Sequence, residues 1–284
     1  MGFQSILRGV APPFVLSALR RLRPSPPLGP PQFEHVPDAW ERLGTVESWD
    51  ASAIEQTYRD KWPRFAALVG GAGPLGVSHE SDFSTAEDLA AHNATMTFAY
   101  VAARAASDGR LSILDWGGGP GHYALLTRSV LPDIEVAYTS KDVPSLAALG
   151  DEWLPGDRFI SDDADLAGAY DLVMSSGALH YAQDWREMVE RLAAITRRSL
   201  YLTRMPIAAG VPSFPYVQRV PAEYGYGDDT TFVGWCFGRE EFLSAVAGTG
   251  LVLTREFVVG EAWPIAGAPA PPRVGGFLFE RPAP

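Results

Sequence analysis

The stretch Ile113 to Tyr123, which reads ILDWGGGPGHY, constrains the fold more than any other part of the chain. A β-prone apolar run, Leu111 to Leu114, leads into Asp115 and a series of glycines, and apolar residues with helical spacing resume at Tyr123. This pattern predicts a strand, a glycine turn and a helix. Glycine accepts positive φ and leaves room where a Cβ would collide, so a ligand can approach the backbone of such a turn. Because the first N–H groups of the helix favour a polar or anionic group, we expect a nucleotide-like cofactor over Gly117 to Gly121.

The spacing of the glycines separates this turn from two common phosphate-binding turns. The dinucleotide fingerprint needs glycine at the first, third and sixth positions, and the sixth position counted from Gly117 is His122. No Gly-Lys-Ser or Gly-Lys-Thr follows, which excludes a P-loop. What remains is an acid, one residue, and then glycine at every second position: Asp115, Gly117, Gly119 and Gly121.

This arrangement resembles the first motif of class I S-adenosylmethionine (SAM)-dependent methyltransferases. The wider sequence LDWGGGPGHY resembles a bacterial branch of that superfamily found near surface-glycan and natural-product gene clusters. The resemblance implies a Rossmann-like α/β fold with a seven-stranded, mostly parallel sheet whose last strand is antiparallel. Independently, strand and helix patterns alternate from Leu111 to Leu202, which predicts a parallel sheet with helices on both faces.

The implied cofactor is SAM, with S-adenosylhomocysteine (SAH) as the product. Asp142 lies 21 residues beyond Gly121, where nucleotide-binding α/β folds hold ribose hydroxyls, although Lys141 beside it could pair with it instead. The resemblance assigns an acid near residue 163 to the adenine amino group and places the helix before the first strand over the cofactor. The candidate cofactor-binding residues are Asp115, Gly117, Gly118, Gly119, Gly121, Asp142, Asp162, Asp163, Ser176, His92 and Tyr100.

That preceding helix is predicted from about Thr85 to Ser107, with Thr85 or Ser84 as its N-cap. His92 and Tyr100 share one of its faces, which could equally pack against a lid. Asp162, Asp163 and Asp165 also raise a metal-dependent alternative, because clustered carboxylates suit Mg²⁺, but the chain offers nothing that completes such a site, and we predict no metal.

Two histidines are candidate general bases. His180 follows the predicted fourth strand and its small residues, where imidazole could remove a proton from the acceptor or could instead orient the loop. His79 lies among polar residues that could face a pocket or form a solvated loop.

The segment 206–238 lacks clean periodicity but is rich in aromatic residues, and long loops within compact domains are usually functional or disordered. We predict that it covers the substrate, with a hydrophobic homodimer surface as the alternative. The candidate substrate-binding residues are Tyr216, Tyr224, Tyr226 and Trp235. Beyond it, a helix at 239–249 and strands at 251–259 and 276–280 complete the predicted sheet.

The predicted domain organisation has three parts: an N-terminal arm and proline-rich linker at 1–31, a helical lid at 32–83, and a SAM-binding domain at 84–284. The arm combines apolar residues with four arginines, so it could lie on a membrane surface, but we expect it to pack on its own domain or on a partner subunit.

Composition excludes several classes of function. The net charge of −11 and the pI of about 4.9 disfavour nucleic acid as a partner, because phosphate contacts need clustered basic residues. The single cysteine, Cys236, excludes an intrachain disulfide and is compatible with a reducing cytoplasm. No apolar run approaches the ~20 residues of a membrane span.

The predicted activity is therefore methyl transfer from SAM to a carbon, nitrogen or oxygen atom of a small molecule of secondary metabolism, with an aromatic or apolar acceptor. Two alternatives stay open: an enzyme of the same fold that uses SAM for another reaction, such as cyclisation or decarboxylation, and a non-catalytic subunit. The second would be expected to lose the acid and the glycines, which this chain keeps.

Overall fold

The computed structural model describes residues 31–44, 52–77, 87–220 and 230–282. The strands are β1 Phe33–His35, β2 Arg110–Trp116, β3 Glu135–Lys141, β4 Arg158–Ile160, β5 Tyr170–Ser176, β6 Thr196–Ala208, β7 Phe214–Arg219, β8 Thr231–Gly238, β9 Val252–Val258, β10 Ile265–Ala266 and β11 Arg273–Glu280. The α-helices are α1 Ala39–Leu43, α2 Ser52–Val69, α3 Leu89–Ala105, α4 His122–Val130, α5 Pro144–Trp153, α6 Trp185–Ala194 and α7 Arg239–Gly248.

The central part of the sheet has the strand order β4-β3-β2-β5-β6-β11-β9. Strands β2 to β6 run parallel, whereas β11 is antiparallel to both of its neighbours. The predicted Rossmann-like α/β fold, with a mostly parallel sheet and an antiparallel last strand, is confirmed. The predicted count of seven strands fits this central part alone, because the whole sheet has eleven strands among the described residues. The chain order reverses between β2 and β5, and in folds of this kind a ligand crevice opens at such a switch point, beyond the carboxyl ends of the strands.

Successive residues on the central strands face opposite sides of the sheet and enter different cores. Ile113 and Leu172 pack in a cluster with α2, α3 and α4, whereas Leu114 and Val173, one residue further, pack in a cluster with α6 and α7. Helices therefore cover both faces, which explains why the strands read as continuous apolar runs rather than alternating ones.

Helix α3, which leads into β2, begins at Leu89 rather than near Thr85. Its N-cap is Asp88, whose carboxylate accepts a hydrogen bond of 2.7 Å from the amide of Ala91. Aspartate at this position satisfies one of the amides that the first turn leaves free. The predicted cap at Thr85 or Ser84 is therefore wrong.

A second group of strands extends the sheet beyond the Rossmann-like part. The end of β6 pairs with β8 at Ile207 and Ala208, and from there the order is β8-β7-β1-β10. The aromatic segment 206–238 thus contributes β7 and β8, and Phe33–His35 joins them as β1 instead of lying in an all-helical lid. The strand was missed because its partners, β7 and β10, lie far away along the chain.

Several predictions fall on residues outside the described ranges: the N-terminal arm up to residue 30, His79, Tyr224 and Tyr226. Within the described ranges, no helix combines the length and the apolar character needed to cross a membrane.

Candidate functional site

A cavity of about 550 Å³ lies at the carboxyl ends of the central strands. Its volume is within the ~300–1,000 Å³ usual for small-molecule sites. One part is lined by the residues that directly follow β2, β3 and β5, on both sides of the switch point, namely Gly117, Gly118, Gly119, Asp142, Val143, Gly177 and Ala178.

The glycine turn is tightly packed on one side and open on the other. A Cβ on Gly117 would lie 2.1 Å from the Cβ of Ala178, and one on Gly118 would lie 2.6 Å from the Cγ of Asp115. Gly119 has a φ of +55°, but a Cβ there would meet nothing closer than 3.7 Å, the Nδ1 atom of His122. The described side chains thus leave space around Gly119, on the face of the turn that lines the cavity.

Asp142 connects the glycine turn to the loop after β3. Its Oδ2 accepts a hydrogen bond of 2.6 Å from the amide of Gly119, and its Oδ1 accepts one of 2.7 Å from the amide of Val143. A carboxylate oxygen can accept more than one hydrogen bond and Asp142 lines the cavity, so its carboxylate is placed to accept hydrogen bonds from a ligand diol. The suggested pairing with Lys141 is not what the structure shows, because the Lys141 ammonium contacts Asp163 at 3.2 Å.

Asp115 lies beneath the turn, fully buried. The hydroxyl of Tyr138 donates to its Oδ2 at 2.7 Å, and its Oδ1 has no hydrogen-bond partner among the described residues. Burial, with a smaller contribution from the nearby charge of Asp142, raises the pKa of Asp115 to about 7. The carboxyl group therefore gains or loses its proton near neutral pH.

We expect this raised pKa to make the ligand-free protein less stable as the pH rises from 5 to 8. Below pH 7 the folded state holds a proton that the unfolded state, with an ordinary carboxyl pKa, releases, so the free energy of unfolding falls as pH rises and levels off above about pH 7. Asp115→Asn removes the titrating carboxyl group and therefore this pH dependence. Between pH 5 and pH 8, the free energy of unfolding of the variant, measured with urea, should rise by about 2–3 kcal/mol relative to that of wild type. A constant difference between the two proteins across this range would contradict the prediction.

Asp162 and Asp163 do not line the cavity. The carboxylate of Asp163 accepts a hydrogen bond of 2.8 Å from the Trp116 indole and pairs with Lys141, while the exposed Asp162 caps the amide of Ala164. A short 3₁₀ helix, Asp163–Asp165, holds them in these positions. Across the described ranges, no group of three or more His, Cys, Asp or Glu side chains is arranged to hold a metal ion.

The predicted cofactor face of α3 is also turned away from the cavity. Tyr100 is 43% exposed and contacts Phe257, and neither Tyr100 nor His92 lines the cavity. The cavity is instead lined by the neighbouring face of the helix, which includes Ala91 and Thr95. The sequence showed that His92 and Tyr100 share a face, but not which face points inward.

His180 is fully buried behind the cavity wall. Its ring packs against Tyr181, Tyr216 and Trp263, and neither ring nitrogen has a hydrogen-bond partner among the described residues. Burial, together with the positive charge of Arg204, lowers the pKa of His180 to about 3, so the ring is neutral at physiological pH. The structure therefore does not place this imidazole where an acceptor would contact it.

The two described aromatic candidates of segment 206–238 do not line the cavity. Tyr216 is fully buried and packs edge-on against Phe33. Trp235 stacks on Trp40 and donates from its indole to the carbonyl of Gln183 at 3.0 Å. Ser176, the last residue of β5 and a candidate cofactor-binding residue, lines the cavity and shares a hydrogen bond of 2.9 Å with the hydroxyl of Tyr123.

The remainder of the cavity wall contains residues that the sequence analysis did not single out as site residues. They come from α2, the start of α4, the segment after β5, strand β6, the second group of strands and the loop after β9: Phe33, Tyr58, His122, Tyr181, Arg204, Gln218, Glu261 and Trp263. For one of them the sequence offers a signal: Arg204 follows closely after Leu202, where the alternating strand and helix pattern ends, and the carboxyl ends of parallel strands meet at the ligand crevice. The others approach the cavity only through tertiary packing.

No protein-family model and no curated protein matches the chain. Solved structures with a similar fold include magnesium protoporphyrin IX methyltransferase from Synechocystis PCC 6803 with bound SAM, at 15% identity and a TM-score of 0.46, covering 84% of this chain and 98% of that one. Another is the sugar N-methyltransferase KedS8 from Streptoalloteichus, at 16% identity and a TM-score of 0.46, covering 67% and 87%. A third is the amino pentose methyltransferase CalS10 from Micromonospora echinaspora, at 19% identity and a TM-score of 0.43, covering 67% of this chain and 91% of that one. The strand order and the helices on both faces of the sheet carry the assignment of this chain to a doubly wound, Rossmann-like fold.

Proposed function

We propose that the protein is a SAM-dependent methyltransferase that acts on a small molecule with an aromatic or apolar body. The observation that carries the proposal is the junction of Asp142 with the glycine turn. The carboxylate at the end of β3 is bonded to the amide of Gly119, so a diol acceptor lies directly beside an open stretch of backbone. A nucleoside needs both features, and both border one cavity at the switch point of the sheet.

The residues of the chain have separate tasks in this proposal. Asp142 accepts hydrogen bonds from the ribose hydroxyls, and the turn from Gly117 to Gly119, followed by the start of α4, receives the polar end of the cofactor. Gly177 and Ala178 at the end of β5 are small, so they leave room for a close approach of the two reactants. SAM supplies an activated methyl group when bound.

The protein then mainly has to align the acceptor with the methyl group. Good orientation alone can contribute ~7–11 kcal/mol to lowering the barrier. The aromatic side chains of Tyr58, Tyr181 and Trp263 line the rest of the cavity and provide apolar surfaces for a ring. His180 is not needed as a base in this arrangement, and its burial separates it from the acceptor.

Isothermal titration calorimetry with SAM and with SAH tests the proposal. We expect micromolar dissociation constants for both, and transfer of an isotope-labelled methyl group to an acceptor with release of SAH. Product analysis then separates methyl transfer from cyclisation or decarboxylation. If folded protein binds neither SAM nor SAH, the proposal is wrong.

A further inference from the structure

One residue on the cavity wall has a backbone conformation that its type rarely adopts. Arg204 has a φ of +55° within β6, where the pairing with β11 shifts: Thr203 pairs with Gly276 and Met205 pairs with Gly275, so Arg204 has no partner residue on β11. This is a β-bulge, a feature that often redirects a side chain next to a functional site. A non-glycine residue with positive φ costs free energy and therefore suggests a role for the side chain.

The bulge directs the Arg204 side chain to the cavity, where it meets a carboxylate. The guanidinium Nε lies 2.6 Å from Oε1 of Glu261 and its Nη2 lies 3.3 Å from Oε2. Only 13% of the Arg204 side chain and 18% of the Glu261 side chain are exposed, and both residues line the cavity. The fork of the guanidinium therefore fixes the orientation of Glu261 in a site largely shielded from water.

The ion pair lies between the two parts of the cavity. A Cβ placed on Gly177, in the loop after β5, would be 3.7 Å from the guanidinium, so the pair adjoins the proposed cofactor part. Trp263, two residues after Glu261, lines the rest of the cavity and stacks on Phe33. An acceptor ring against this aromatic surface would present its polar substituent to the Arg204–Glu261 pair.

The charges around the cavity indicate which substituent this is. The described residues that line it include three carboxylates, Asp88, Asp142 and Glu261, against the two cationic side chains of Lys141 and Arg204 and the imidazole of His122 at the glycine turn. Lys141 pairs with Asp163 and Arg204 pairs with Glu261. An anionic substituent beside Glu261 would therefore be repelled by the carboxylate, while the neighbouring guanidinium of Arg204 is already paired with Glu261. A hydroxyl or ammonium group could instead donate a hydrogen bond to the carboxylate.

We infer that Glu261, oriented by Arg204, is a specificity-determining residue that selects acceptors with a hydroxyl or amino group on an apolar ring and rejects carboxylates and phosphates. This inference rests on the proposed function and names its substrate class. Arg204 acts as a positioning residue, because its guanidinium holds the carboxylate that contacts the acceptor.

Three probes with one ring and different charge test the inference: benzyl alcohol, benzylamine and benzoate. Their binding to the SAH-loaded wild-type protein is measured by ligand-observed NMR titration. We expect the alcohol and the amine to bind at least about tenfold more tightly than benzoate, because like charges in a desolvated site repel. Equal or tighter binding of benzoate, or binding of none of the three, would overturn the inference.

The variant Glu261→Gln gives a second readout, with Glu135→Gln as its matched control. Glu135 forms an ion pair with Arg110, the two side chains are each 77% exposed, and neither residue lines this cavity. Glu261→Gln should lower the ratio of benzylamine to benzoate affinity at least about tenfold, while Glu135→Gln should leave it unchanged. An unchanged ratio in folded Glu261→Gln would contradict the inference.

The same probes distinguish failure of this inference from failure of the proposed function. If SAH does not bind, the proposed cofactor is wrong, and the three probes are titrated into the ligand-free protein. A preference for the amine and alcohol would then still support selection by Glu261. Tight SAH binding without any charge preference would retain the methyltransferase proposal and remove the role of Glu261.

Discussion

Asp142→Ala is expected to weaken binding of SAM and SAH about 100-fold or more. The carboxylate has two tasks, since it accepts hydrogen bonds from the amides of Gly119 and Val143 and is proposed to accept two more from the ribose. Hydrogen bonds to a charged group contribute about 1.5–3 kcal/mol each, so loss of the two ribose contacts alone accounts for the effect. Calorimetric titration of the variant with SAH measures it directly.

Asp163→Ala is the matched comparison. Asp163 also follows a strand of the sheet, but its carboxylate is bonded to Trp116 and Lys141 and does not line the cavity. We expect its SAH affinity to stay close to that of wild type. An equally large loss in Asp163→Ala would support the adenine contact that the family resemblance implied, and unchanged affinity in folded Asp142→Ala would remove Asp142 from the ribose site.

The contrast between these two aspartates shows what a sequence predicts well. The central strands and the glycine turn were predictable because each is encoded locally, by a β-prone run and by glycines that the turn requires. Asp142 follows from its fixed distance after the turn. Asp163 has an equally suggestive position, but its neighbours in space, Trp116 and Lys141, engage the carboxylate, and no spacing rule includes them.

The rest of the cavity wall depends on contacts between distant segments. Strand β1 is part of a sheet only through β7 and β10, and the inward face of α3 is decided by packing on the sheet. Arg204 and Glu261 are 57 residues apart, and their meeting requires a bulge that exists only because β6 pairs with β11. These interactions arise from the assembled sheet, so the local pattern of residues did not reveal them.

Replacing two glycines of the same turn by alanine is expected to have different effects: Gly117→Ala should mainly lower stability, and Gly119→Ala should mainly lower cofactor affinity. In Gly117→Ala the new Cβ would lie 2.1 Å from the Cβ of Ala178 at a φ of +77°, so strain and overlap add. We expect this variant to lose about 3–5 kcal/mol of unfolding free energy. In Gly119→Ala the φ is +55° but the nearest contact is 3.7 Å, so the cost should be only about 1–2 kcal/mol.

The small loss of stability expected for Gly119→Ala should be accompanied by a large loss of cofactor affinity. The Cβ of Gly119→Ala would occupy the open side of the turn, so a well-folded variant should lose SAH affinity by about 100-fold or more. Gly109→Ala is the control, because Gly109 has a φ of +73° with no atom within 4 Å of the added Cβ and does not line the cavity. It should lose the same 1–2 kcal/mol as Gly119→Ala in urea unfolding and bind SAH normally. If Gly119→Ala binds SAH as tightly as Gly109→Ala, the cofactor does not lie on the open face of the turn, because an added methyl group there would collide with it.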